Sequence, residues 1–338
     1  MAFPNITYGG DQQGLICGYL LRPDTSPQEL GSEAAALWLA ANKDSSGDDF
    51  LWLHFNLSHA ASEKWLAHHA QLPEEFFDTL REASHSTRIE MIDSSLIAVI
   101  NDVHYDFSFE ASEISTLWLN VAKRFVVSVR VRPLRSIDAL RESVRHGEII
   151  RSPMALLIHL LREQENVLVD IIRRVTLRID SVEDKLLSGK VSVTRTELGA
   201  MRRLLVRLQR LLAPEPASLF RLLQAPPEWT DETDNMELRQ STEEFSVVLR
   251  DMSALQERIK LLQEEIAAHV NEQNNKSLFV LTIVTVLALP INIVAGLFGM
   301  NVGGIPWAQN EGGFWLVVFM IISFTGCAAW WVFKKNKV

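Results

Sequence analysis

Two long uncharged runs near the C-terminus constrain this chain more than any other feature. Residues 277–300 and 314–333 contain no Asp, Glu, Lys or Arg, and each is long enough to cross a hydrocarbon core about 30 Å thick. A buried core helix is the alternative interpretation of one such run, but two in succession favour membrane helices. We therefore predict two transmembrane helices, joined by an outer loop at 301–313 and followed by a basic tail at 334–338.

The placement of lysine predicts the orientation of these helices. Lys276 precedes the first run, and Lys334, Lys335 and Lys337 follow the second, whereas the loop between the runs has no Lys or Arg. Cytoplasmic flanks of membrane helices carry an excess of Lys and Arg. We expect a multi-pass membrane protein with both termini in the cytoplasm. The net charge of −9 argues against a nucleic-acid partner.

Residues 1–133 alternate between two kinds of pattern. Short runs rich in β-branched and aromatic residues indicate strands, and apolar residues three and four apart indicate helices. Together they predict an α+β cytoplasmic domain with a mixed sheet and helices. The predicted strands are Leu15–Leu21, Phe50–Leu57, Ser95–Ile100, Thr116–Val121 and Phe125–Val131, and the predicted helices are Ser32–Asn42, Ser62–His69 and Pro73–Ala83.

Helical spacing takes over after residue 133. It predicts helices over 153–187 and 194–212, so that residues 134–226 form a helical hairpin region. Proline is absent between Pro227 and Pro290, which predicts a stalk helix at 227–276 continuous with the first membrane helix. About 60 residues of helix span about 90 Å, too long for an ordinary core element. The stalk should pack on the hairpin region or on copies of itself.

Transport would require an oligomer, because two helices cannot enclose an aqueous path. One face of the first run, continued into the stalk, is the better candidate for lining a central pore. Helical spacing inward from Asn301 gives this face as Asn292, Leu289, Thr285, Leu281, Leu278, Asn274 and Asn271. Its leucines could form a hydrophobic gate that closes by dewetting. Alternatively, they face lipid or the second helix.

Two further groups of side chains are candidates for metal contacts. Four glutamates of the stalk could form an acidic funnel on the cytoplasmic side, or each could belong to a solvated helix face; they are Glu257, Glu264, Glu265 and Glu272. His54 and His59 could form a regulatory metal site, or belong to an ordinary strand–helix unit. Motifs for nucleophilic catalysis or phosphate binding are not evident, so we do not expect an enzyme.

The first run ends in Gly299-Met300-Asn301, followed by Val302-Gly303-Gly304-Ile305-Pro306-Trp307. This tripeptide, after a long stalk and before a second span, resembles the signature of the CorA family of divalent-cation channels and transporters. The continuation, and Trp52-Leu53-His54-Phe55-Asn56, resemble that family's zinc-transporter branch, ZntB. The resemblance implies a funnel-shaped homopentamer of the bacterial inner membrane, with zinc as transported substrate, no cofactor and proton-linked movement.

The residue chemistry supports a selectivity filter at Gly299, Met300 and Asn301. A ring of Asn301 amides would offer neutral oxygens to the water shell of a divalent ion, although an Asn can also simply end a helix. Between Gln273 and Asn310 there is no His, Cys, Asp or Glu, so neither a dehydrated zinc site nor an intramembrane proton relay is expected. A magnesium or cobalt channel of the same family and a membrane-tethered sensor or scaffold are the alternatives to zinc transport.

Overall fold

The computed structural model describes residues 10–42, 47–82, 86–104, 108, 113–188, 195–300 and 312–335. The chain divides into two compact units, Met1–Leu262 and Gln263–Val338. In the described part of the first unit the strands are β1 Leu15–Arg22, β2 Thr25–Glu29, β3 Phe50–Asn56, β4 Arg88–Ile92, β5 Ser95–Val103, β6 Ile114–Val121 and β7 Phe125–Arg130. The helices are α1 Ser32–Ala41, α2 Ser62–His69, α3 Glu74–Arg81, α4 Arg135–Arg145, α5 Pro153–Leu187, α6 Arg195–Leu212, α7 Pro214–Gln224, α8 Glu232–Phe298 and, in the second unit, α9 Gly313–Lys335.

The seven strands form one mixed sheet in the order β2-β1-β3-β7-β6-β5-β4. The β3–β7 pair is parallel, and the other neighbouring pairs are antiparallel. Helices α4, α5 and α7 pack on one face of the sheet, and α1, α2 and α3 pack on the other. The predicted mixed sheet with helices is confirmed, and the five predicted strands correspond to β1, β3, β5, β6 and β7.

Strand β3 is buried on both faces, which explains why its sequence is almost continuously apolar. Residues 50–55 are all fully buried. Successive side chains of a strand point to opposite faces, so Trp52 packs in the core under α4 and α5, whereas Leu51 and Leu53 pack in the core under α1 and α2. A strand covered on both faces reads as a continuous apolar run.

Four elements were not predicted. Edge strands β2 and β4 have only five residues each; β2 is polar and contains Pro27, and β4 carries Arg88 and Glu90 among its apolar residues, so both give a weak strand signal. Helix α4 was also missed. Helix α7, which begins at Pro214, was not predicted either. Proline fits the first turn of a helix, where its missing N–H has no helical partner to lose.

Helices α5 and α6 contact α8 inside the first unit. The Arg258 side chain of α8 donates to Asp180 at 2.7 Å and to Glu183 at 2.5 and 2.9 Å, both on α5. The Gln209 amide of α6 donates to the Ser253 hydroxyl of α8 at 2.5 Å.

The N-terminus of α5 is capped by Ser152, which accepts from the Ala155 N–H at 2.8 Å, as expected for a serine before a helix.

Helix α8 starts at Glu232 rather than at residue 227, and continues through Pro290 to Phe298. Within the described residues, α8 is the helix that is long and apolar enough to cross a membrane, judged by length and composition. The described apolar segment of α9, Gly313–Cys327, is shorter. The predicted second span at 314–333 falls within α9.

Candidate ion pathway

The seven candidate pore residues all lie on α8 in the second unit. Each is exposed in the single chain, and Leu278, Leu281 and Leu289 are 57–62% exposed. Soluble monomers rarely leave a contiguous apolar surface of this kind uncovered. The uncharged end of α8 therefore requires lipid, other protein copies, or both as its environment.

Two threonine hydroxyls on this helix are oriented by the backbone. Thr282 donates to the Leu278 carbonyl at 2.8 Å, and Thr285 donates to the Leu281 carbonyl at 2.9 Å. With its proton used in this way, each hydroxyl oxygen keeps its lone pairs as acceptors. Thr285 is on the candidate pore face, so its oxygen is suited to receive a hydrogen bond from water around a cation.

Pro290 and Leu289 distinguish the next turn of α8 from the rest of the candidate pore face. Proline has no N–H, so the Val286 carbonyl four residues earlier lacks its helical donor. Leu289 also lines a crevice of about 340 Å³ between α8 and α9, facing Met320 and Phe324. The other six candidate pore residues do not line this crevice. Leu289 is therefore the candidate that the structure places toward the second helix.

The filter tripeptide is described at Gly299 and Met300, whereas Asn301 lies outside the described residues, as does the outer loop to residue 311. The Gly299 N–H donates to the Ala295 carbonyl at 2.9 Å. A Cβ on Gly299 would lie 3.0 Å from that oxygen, so close backbone approach is a reason for glycine here. Met300 is 50% exposed.

The four funnel glutamates are exposed along α8. Glu257 pairs with Lys260 at 3.1 Å, and Glu272 pairs with Lys276 at 2.7 Å. The hydrogen bond and the charge of Lys276 lower the pKa of Glu272. These two acids are partly neutralised within their own helix, while Glu264 and Glu265 have no ion-pair partner among the residues the structure describes.

Both ring nitrogens of His54 are occupied by hydrogen bonds inside the sheet. Arg130 donates from Nε to His54 Nε2 at 3.0 Å, so the ring proton is on Nδ1, which donates to the Ser128 hydroxyl at 2.8 Å. Burial, and then the charge of Arg130, lowers the pKa of His54 well below its usual value. Both nitrogens are engaged, and His59 is exposed. Among the described residues, no group of three or more His, Cys, Asp or Glu could hold a metal ion.

The structure also reveals buried carboxyl groups that sequence reasoning missed. Glu215 of α7 is fully buried, and burial raises its pKa to about 8. The Gln164 amide of α5 donates to its Oε2 at 3.3 Å. Asp102 of β5 accepts from the Ser136 N–H at 2.7 Å, and burial raises its pKa to about 6. The burial of Glu215 was not expected, because the sequence Pro214-Glu215-Pro216 resembles a loop.

An α/β domain joined to a 67-residue helix with an exposed, uncharged, apolar end defines a membrane-attached protein. A sequence model of the family described as CorA-like Mg2+ transporter protein matches residues 47–335. The chain belongs to that family, and it is a divalent-cation transporter of the CorA type. The resemblance drawn from the tripeptide and its surroundings is thus confirmed.

Individual relatives agree with this assignment. Divalent cation transporter CmaX of Pseudomonas aeruginosa is 28% identical over 332 residues, covering 97% of this chain and 98% of that protein. Zinc transport protein ZntB of Pectobacterium carotovorum is 23% identical over 286 residues, covering 85% and 87%. The solved structure of full-length CmaX matches with a TM-score of 0.80 at 27% identity, covering 97% and 99%.

Proposed function

We propose that this protein transports zinc across the bacterial inner membrane through the central pore of a funnel-shaped homopentamer. The observation that carries the proposal is the exposed, uncharged face of α8. On that face polar side chains recur at helical spacing and lead to Gly299 and Met300, next to Asn301. The protein is proposed to move the ion without any catalytic step.

The exposed leucines support the oligomer. Leu278 and Leu281 are 60% and 62% exposed on the pore side of α8, and five such helices around an axis would bury them against one another. This ring of leucines is the proposed gate, which excludes water when narrow. Leu289 is the exception, since it lies at the crevice with α9, where it would help to hold α9 on the lipid side.

The ligand chemistry favours a hydrated ion. The proposed path offers amide oxygens from Asn271, Asn274, Asn292 and Asn301 and a hydroxyl oxygen from Thr285. A dehydrated zinc ion prefers His, Cys or carboxylate ligands, and 274–309 contain none. Neutral oxygens instead suit contact with the water shell of the ion.

Charge placement supports the topology. Lys276 and the lysines of the tail would lie at the cytoplasmic surface, with the 301–313 loop outside. The exposed Glu264 and Glu265 would attract cations to the cytoplasmic end of the pore. The proposal includes a link to the proton gradient, with the protonatable groups outside the uncharged runs.

Magnesium or cobalt is the second candidate substrate. The family description names Mg2+, and the CmaX relative is named for divalent cations in general. The Val302-Gly303-Gly304 loop and the ZntB relatives favour zinc. A membrane-tethered sensor or scaffold is the remaining alternative, and it would have no need of Asn301.

Flux measurements in liposomes test the proposal. The full chain should admit zinc, with more uptake when a pH gradient is imposed, and Asn301→Ala should reduce zinc flux by about tenfold or more because it removes the filter oxygens. Asn310→Ala, in the same loop but outside the tripeptide, is the matched control and should retain flux.

The other outcomes separate the alternatives. If magnesium or cobalt crossed faster than zinc, that ion rather than zinc would be the preferred substrate. If liposomes containing the folded protein admitted no zinc, nickel, cobalt or magnesium, the transport proposal would fail. The membrane-tethered sensor or scaffold would then be the remaining function. Equal zinc flux in Asn301→Ala and Asn310→Ala would show that Asn301 is not part of the filter.

A further inference from the structure

A second cavity lies in the first unit, and none of its lining residues is among the candidate pore residues. It has a volume of about 430 Å³ and opens between the C-terminal half of α1, the end of α2 and the turn between β6 and β7. Trp229, which precedes α8, closes another side. Pockets of about 300–1,000 Å³ with an apolar lining and a few polar groups are the usual form of small-molecule sites.

The charge of this cavity is opposite to that of the chain. The protein has a net charge of −9, yet the described residues that line the cavity include Lys123 and Arg124 and no Asp or Glu, and Asp49, which pairs with Arg124, is outside that lining. Lys123 is exposed, and it has no ion-pair partner among the described residues. The cavity therefore favours an anion over a metal cation.

Arg124 provides the more specific observation. Its Nη1 pairs with Asp49 at 3.0 Å and donates to the Gly47 carbonyl. Its Nε and Nη2 are buried and have no hydrogen-bond partner in the described structure. These two N–H groups form the edge of the guanidinium that binds carboxylate or phosphate oxygens in parallel. Buried charged donors without acceptors are costly, so an anion that reached them would be stabilised.

The aromatic side chains add a second kind of recognition. The Trp38 ring lies over the Arg124 guanidinium, with 5.2 Å from its centroid to Cζ. Trp229 is held in place by its indole N–H, which donates to the Ser94 carbonyl at 3.0 Å. Indole and imidazole faces at the same cavity can stack on a planar ring. Since Arg124 Nε and Nη2 are covered, binding should also shift Trp38.

We propose that this cavity binds a mononucleotide, a small anion that joins a phosphate to a planar ring. The phosphate would pair with Lys123 and the free edge of Arg124, and the base would stack on Trp38 or Trp229. The site shares no residue with the proposed ion pathway. It would give a divalent-cation transporter a cytoplasmic ligand site, distinct from any metal site.

Calorimetric titration of the detergent-solubilised full chain tests this proposal. With EDTA present, AMP should bind with one site per chain, at least about tenfold tighter than adenosine, ribose 5-phosphate or inorganic phosphate. Lys123→Gln and Arg124→Gln should each weaken AMP binding by about tenfold. Arg145→Gln, an exposed arginine of α4 away from the cavity, should leave it within about twofold.

Several results would overturn the proposal. Absence of AMP binding at millimolar concentration, or equal binding by Lys123→Gln and the unmodified chain, would exclude this site. Equal affinity for phosphate and AMP would exclude ring recognition, and equal affinity for adenosine and AMP would exclude anion recognition. If Arg124→Gln failed to fold, Lys123→Gln and Trp38→Phe would still decide, with Trp38→Phe expected to weaken AMP binding.

Discussion

At the residue scale, burial changes what a side chain can do. His54 belongs to a residue type that commonly binds zinc, but the fold surrounds it with Ser128 and Arg130 and occupies both ring nitrogens. A buried hydrogen-bonded side chain that is removed leaves its partners unsatisfied. Its expected contribution is therefore to the stability of the sheet rather than to metal sensing.

The first prediction concerns His54→Ala. We expect a loss of about 2–4 kcal/mol in the free energy of unfolding, because the change leaves a cavity and removes the acceptor of the buried Arg130 Nε–H. Urea denaturation in detergent with and without zinc measures it, and zinc should not alter the difference. His59→Ala, an exposed control on the same segment, should change stability by less than about 0.5 kcal/mol. A zinc-dependent change in stability confined to His54→Ala would instead support a regulatory metal site at His54.

The second prediction concerns the pH dependence caused by Glu215. Burial raises its folded-state pKa from 4.5 to about 8, so the folded chain holds this proton across that interval while the unfolded chain releases it. The free energy of unfolding should therefore fall as the pH rises from about 4.5 to about 8. Asp102, also raised, contributes in the same direction up to about pH 6.

Replacing Glu215 by Gln isolates this effect. Glu215→Gln should gain about 4 kcal/mol over the unmodified chain at pH 8 and almost nothing at pH 4.5, because the amide has no proton to lose. Thermal unfolding at several pH values measures it. The exposed control Glu228→Gln should follow the unmodified chain at every pH. A Glu215→Gln curve parallel to that of the unmodified chain would contradict the assignment.

At the scale of the element, α8 combines a soluble beginning with an apolar end. Inside the first unit it is held by Arg258 and Ser253 to α5 and α6. Beyond residue 276 its exposed face is apolar, except for a few amide and hydroxyl groups. Because α8 is continuous from Glu232 to Phe298, a movement of the first unit is expected to reach the proposed pore along one helix.

The third prediction uses two threonines in the same helical environment. Both hydroxyls donate to the carbonyl four residues earlier, but Thr285 is near the middle of the proposed pore face, whereas Thr282 lies about 60° further round the helix, on the side of Leu289. Thr285→Val keeps the shape and removes the acceptor oxygen, so zinc flux in liposomes should fall by about fivefold. Thr282→Val should retain flux. Equal effects of the two changes would mean that the face has been assigned incorrectly.

At the scale of the whole molecule, exposed apolar surface determines what the chain requires around it. Leu278 and Leu281 on α8, and Phe314 and Phe319 on α9, are more than half exposed in the single chain. Surface of this kind is stable only when covered by lipid or by other copies. The proposed pentamer covers the pore side of α8 with copies and leaves the rest to lipid.

The fourth prediction follows from that packing. Native mass spectrometry of the detergent-solubilised full chain should show five copies, because a closed ring hides the heterologous contact surface of every subunit. Asn301→Ala should give the same mass, since the filter residue does not determine packing. A chain that stays monomeric while its liposomes transport zinc would contradict the pentamer.

Part of this protein was predictable from sequence because the signals are local. Runs rich in aromatic and aliphatic residues such as Phe50–Leu57 predicted the central strands, and helical spacing predicted α5, α6 and the long helix. Edge strand β4 and helix α7 were not predictable in this way. A five-residue edge strand such as β4 depends on its neighbour for hydrogen bonds, and Pro214 starts a helix or ends one according to context.

The sequence by itself determined the apolar runs, the long helix without proline and the tripeptide at its end, since charge, spacing and backbone chemistry are properties of neighbouring residues. The tertiary structure alone decided which distant groups meet. It buried His54 against Arg130, enclosed Glu215 beside Gln164, placed Leu289 toward α9 and brought Trp38 over Arg124. These contacts join residues up to 86 positions apart, Trp38 to Arg124 being the longest. A local sequence pattern does not specify which distant side chains become buried together, because their contact depends on how the whole chain folds.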